Sequence, residues 1–120
     1  MKIKIKSVAD KGNPEKERLV LKVVGDTDIG NYLVMQTGYS GEEVTVGVLR
    51  AMWFTYKDLS VGDLVVIYSK SGKQSEKAIE GGKKAHFYYW SAGTAIWNSD
   101  NVAPVVLYAP EWESKTPNEL

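Results

Sequence analysis

The sequence predicts an all-β domain, an antiparallel β-sandwich or barrel carrying one long polar loop. Three observations predict it. Apolar residues recur at period two or in short continuous runs, and few follow helical spacing. Turn signals built on Gly, Asp, Asn and Ser return every ~8–12 residues, the rhythm of strands in such folds. The chain has 120 residues, enough for one domain that folds without staples.

The elements follow in order. Ile3 and Ile5 alternate with Lys2, Lys4 and Lys6, which predicts an exposed or edge strand guarded by lysines. Asp10–Lys16, with Gly12, Asn13 and Pro14, reads as a turn. Leu19–Val24 is rich in β-branched residues and almost uniformly apolar, as expected of an interior strand. A loop over 25–31 leads to a strand at 32–37, and Gly38–Glu43 turns the chain into a strand at 44–49. Met52–Tyr56 predicts a further short strand, and Asp58–Asp63 turns into the buried strand 64–68. Phe87–Trp90 and Val105–Tyr108 complete about eight strands.

Ser69–Lys84 is the long polar loop, since it carries Gly72, Gly81 and Gly82 and has only Ala78-Ile79 to bury. Its centre is expected to form at most a turn or two of helix, and the segment is expected to be mobile and dispensable for folding. Residues 1–110 form the domain, and residues 111–120 an acidic tail expected to fray.

Composition excludes several function classes. Without cysteine there is no disulfide, thiolate metal site or cysteine nucleophile. His86 is the sole histidine, so one subunit holds no multi-histidine metal site and no two-histidine acid/base pair. Fifteen basic and fifteen acidic residues cancel, leaving no global field toward nucleic acid or membrane. The Met-Lys-Ile-Lys-Ile-Lys start lacks an apolar h-region, and no apolar run is long enough for a spanning helix. The expected setting is cytoplasmic.

Three landmarks carry a family resemblance. They are Asp28-Ile29-Gly30-Asn31-Tyr32-Leu33, then Leu59-Ser60-Val61-Gly62-Asp63 with the apolar run Leu64–Tyr68, and last Tyr89-Trp90 with Ile96-Trp97-Asn98-Ser99-Asp100 and Val105-Val106-Leu107. In order and spacing over residues 16–109 the chain resembles the lamin-tail domain. It differs where Tyr32 replaces a tryptophan, Val61 a proline and Asn101 a glycine. The resemblance implies an immunoglobulin-like β-sandwich and a non-catalytic module that binds proteins, nucleic acid or membranes. It also implies that Trp97 closes one end of the sandwich while Asn98 and Asp100 bond to the turn backbone.

Candidate binding residues come from the aromatic segment and the loop before it. Tyr88, Trp90 and Trp97 are either core or a stacking surface, and one aromatic pair of the 87–90 strand must face outward at least in part. Asn98 and Asp100 supply polar contacts for a small ligand such as a carbohydrate, or else cap their own turn. A calcium site is not expected there, because Asp100 is the turn's only charge. Lys83 and Lys84, with Lys70, Lys73 and Lys77, offer a basic stretch for nucleic acid, although no arginine accompanies them. His86 reads as structural, with no catalytic set and no cofactor. The leading expectation is a protein-binding or self-associating module that uses loops on a β-sandwich. The alternatives are a small-ligand module and, below it, nucleic-acid binding.

Overall fold

A computed structural model describes residues 1–120. The protein is all-β, with ten strands and no helix longer than a three-residue 3-10 turn. The strands are β1 (Ile3–Ala9), β2 (Arg18–Val23), β3 (Thr27–Asp28), β4 (Tyr32–Ser40), β5 (Glu43–Trp53), β6 (Asp58–Leu59), β7 (Leu64–Tyr68), β8 (Ser75–Ala78), β9 (Lys84–Tyr89) and β10 (Val102–Tyr108). They form a five-stranded sheet in the order β1-β2-β7-β9-β8, a three-stranded sheet β10-β4-β5 and the small pair β3-β6.

One hydrophobic core joins these sheets. Ile3, Leu19, Leu21, Val23, Val65, Ile67 and Tyr88 come from the five-stranded sheet, and Tyr32, Val34 and Val106 from the three-stranded sheet. Period two explains the selection: in β2, Leu19, Leu21 and Val23 turn inward while Lys22 stays in water. Burial of side chains of this size drives folding at about 1.5–3 kcal/mol each. The lysine-flanked β1 lies at a sheet edge, as its pattern predicts, and the interior run from residue 19 lies between β1 and β7. Ile5 stays in unbroken register with Ile3, as expected of one face, but it is exposed; the alternation breaks only beyond it, at the register shift between Ile5 and Ser7.

Four expectations are corrected. The first concerns pairing: β7 and β9 run parallel, so the large sheet is mixed rather than antiparallel. The second concerns the polar loop. A parallel pair needs a crossover, and residues 69–83 supply it. The chain passes beyond β9, forms β8 on its far side, then hairpins back through a 3-10 turn into β9. Gly72 lies where any Cβ would run into the Tyr89 ring. The segment is therefore hydrogen-bonded edge structure, neither helical turns nor open loop.

The third correction joins the two strands expected at 44–49 and 52–56 into the 11-residue β5, which pairs with β4 on both sides of a bulge at residues 45–47. The fourth concerns the strand 87–90, which begins at Lys84. Tyr88 turns into the core and Trp90 packs half-buried against it, while Phe87 and Tyr89 form the partly exposed outer pair beside Tyr68.

Candidate functional site

Two buried carboxylates organise the loops. Glu17, fully buried, accepts hydrogen bonds from Ser69 Oγ at 2.6 Å, Ile96 N at 2.7 Å, Trp97 N at 3.2 Å and Gly12 N at 2.9 Å. Burial alone would raise its pKa, but these four donors outweigh it and hold the carboxyl below its ordinary value. One side chain thus ties the first turn, the end of β7 and the tryptophan turn together.

Asp63 does the same elsewhere. Its carboxylate accepts from Ser60 N and Lys84 N, and lies 2.9 Å from His86 Nε2. Burial raises the Asp63 carboxyl, and His86 with the two backbone donors pulls it below the ordinary range. His86 is 1% exposed. Its partner is Asp63, and the pair pins the turn before β7 to the start of β9. Glu76 of β8 lies 3.7 Å from His86 Nδ1 and 3.5 Å from both Lys57 and Lys84. No group of three metal-ligating side chains gathers anywhere.

The sequence-predicted residues do not converge on one surface. Trp97 is 2% exposed and belongs to the core. Asn98 and Asp100 are exposed in the following turn, where with Lys11, Trp97 and Ser99 they line a shallow polar recess of about 250 Å³. The Asn98 side chain lies against Gly12. Tyr88 packs edge-on against Phe54, with ring centroids 4.8 Å apart, and lies buried beside Trp90 of the same inward face. Lys83 is half-buried, its stem covering Gly62, and Lys84 is exposed and leans on Glu76.

The exposed aromatics lie elsewhere. Trp53 at the end of β5, Tyr56 just beyond it and Trp112 of the tail are each more than half exposed. Trp53 and Trp112 meet edge to face, with centroids 4.8 Å apart. With Gly30, Phe54, Thr55 and Tyr56 they line an open cleft of about 360 Å³. Gly30 is required there, since a Cβ would enter the Tyr56 ring. Asp28 fixes the approach of these two segments by accepting from Gly30 N and Lys57 N.

A second recess of about 290 Å³ shares Trp53, Phe54 and Thr55 and continues to Gln74, Tyr88 and Tyr89. Burial first, then the charges of Asp28 and Glu76, push the Tyr88 phenol up, so it stays protonated. Its hydroxyl is buried without a hydrogen-bond partner. Sequence reasoning reached Tyr88 but missed the rest of this cleft. The available signals were Trp53-Phe54-Thr55-Tyr56, dense in rings, and Trp112, a large aromatic isolated in a polar tail.

From the cleft an apolar edge runs the length of β5. Val44, Val46, Val48 and Leu49 are all at least half exposed, and Val46 is wholly so. No helix is long and apolar enough to cross a membrane. No family model matches the chain, and no curated protein is similar to it at a significant level.

Proposed function

We propose that this chain is a non-catalytic interaction module of the lamin-tail-like type, built on an immunoglobulin-like β-sandwich, that contacts another protein through β5 and the aromatic cleft. The carrying observation is continuity: four exposed aliphatic side chains on one edge strand run into Trp53, Tyr56 and Trp112. Large apolar side chains held in water along one line favour a partner that covers them. The buried charges support the non-catalytic part. Glu17 and Asp63 are buried in structural hydrogen bonds, and His86 is 1% exposed with its Nε2 on Asp63.

Photo-crosslinking in cells tests this reading. A photoreactive side chain at position 46 or 56 is expected to give discrete protein adducts, whereas one at position 4 on the lysine edge is not. Equal labelling at all three positions would overturn it. The cleft itself favours a second reading, a small ligand stacked on Trp53 and Trp112. Saturable quenching of tryptophan fluorescence by a monosaccharide panel, abolished by Trp112→Ala, would favour that alternative.

A further inference from the structure

Of the four edges of the two larger sheets, all but one are guarded. β1 carries Lys2, Lys4 and Lys6 along its length. β8 has only four residues, two of them charged. β10 contains Pro104, which has no N–H to offer a neighbour. β5 is different: it has 11 residues, no lysine and no proline, its only charges are Glu43 and Arg50, and its one irregularity is the bulge at residues 45–47. Short length, lysines and proline are the usual means by which edge strands avoid pairing with other chains. An edge left without them, and lined with Val44, Val46, Val48 and Leu49, is built to be covered.

Resting on the interaction-module reading, we infer that the occupant is β5 of a second copy, paired antiparallel about a two-fold axis near Val46. Charge selects this partner. Glu42 and Glu43 stand at the start of the strand and Arg50 near its end. An antiparallel pair centred on Val46 sets Glu42 against Arg50 of the second copy at both ends, and Val44 against its Val48 between them. A parallel pair would instead place like charges side by side, which costs stability. The chain's fifteen cationic and fifteen anionic side chains leave no net repulsion between copies.

The shape of β5 also suits an axis there. Thr37 pairs with Val48 and Tyr39 with Val44, so residues 45–47 face only Gly38 and bow out of the sheet. Val46 is the exposed crest of that bow. A two-fold contact brings the crest against itself and joins the two three-stranded sheets along one seam.

Sedimentation velocity on the full chain, with concentration varied, tests the pairing. The wild-type chain is expected to dimerise and Val46→Lys to stay monomeric with an unchanged circular-dichroism spectrum. Arg50→Glu and the double variant Glu42→Lys/Glu43→Lys each place like charges across the seam, and each should weaken self-association by about ten-fold. Mixing those two variants should restore a dimer containing one copy of each. A wild-type monomer at all concentrations, or a dimer indifferent to Val46→Lys, would overturn the self-pairing. The first result combined with protein adducts from position 46 would leave the interaction-module reading standing with a different partner; absence of both would remove it as well.

Discussion

Replacing Glu17 should be among the most damaging single changes in the protein. Glu17→Ala leaves Ile96 N, Trp97 N and Gly12 N and the Ser69 hydroxyl without their acceptor. A hydrogen bond to a charged group contributes about 1.5–3 kcal/mol net. The four share one carboxylate and relax together, so their costs do not add. Relief of the buried charge and entry of water into the hole offset part of the loss. The expected net loss is about 3–5 kcal/mol, the scale for breaking a buried charged network. For a domain of this size that lowers the melting temperature by roughly 10–20 °C.

Glu17→Gln is the informative control. Its amide oxygen can take the three donors now held by Oε1, while its NH2 faces the Gly12 N–H, so about 1–2 kcal/mol should be lost. The pH dependence has a definite sign. The folded carboxyl lies below its ordinary value, so its contribution is complete above the unfolded pKa of about 4.3 and fades as pH falls through the folded value. Urea titrations followed by tryptophan fluorescence between pH 7 and pH 3 should show wild type and Glu17→Gln converging toward the acid end. A loss below about 1 kcal/mol for Glu17→Ala, or a Glu17→Gln difference that grows on acidification, would refute the assignment of Glu17 as the tie between these loops.

Trp97→Ala should cost ~3–5 kcal/mol in chemical denaturation, because the indole is 2% exposed inside the shared core. Trp112→Ala should change stability by less than about 1 kcal/mol, since the ring is 54% exposed and touches the body mainly at Trp53; a shift in Trp53 emission checks that contact. Replacing residues 71–80 by a short Gly-Ser linker should lower the melting temperature, since it removes β8 and exposes the β9 edge along Lys84–Phe87; an unchanged melting temperature would return the segment to the status of a dispensable loop.

Much of this architecture is legible from residue order alone. Alternation in β2 names the inward face, and the lysines of β1 mark an edge, because a strand's side-chain period is a local property of the backbone. The turn Ser60-Val61-Gly62-Asp63 announces β7 for a similar reason: Gly62 adopts φ +93°, which other residues resist. Trp97 is expected in the core from its place in the tryptophan turn. Period two also requires that 87 and 89 lie opposite 88 and 90, but it carries no sign, so it cannot say that Tyr88 faces inward.

What the chain folds against is decided by tertiary structure. The parallel β7–β9 pair, the recruitment of Ser75–Ala78 as a strand, and Glu17 as acceptor for residues 79 and 80 positions away depend on non-local closure, which no local period encodes. The same holds for the candidate site. Trp53 and Trp112 lie far apart in sequence and meet only because β5 and β10, from which the tail departs, both end beside the start of β4. The pattern Val-Thr-Val-Gly-Val-Leu determines that residues 44–49 form a strand. That this strand lies at an open edge, with its valines in water rather than in the core, follows from its having β4 on one side and no strand on the other.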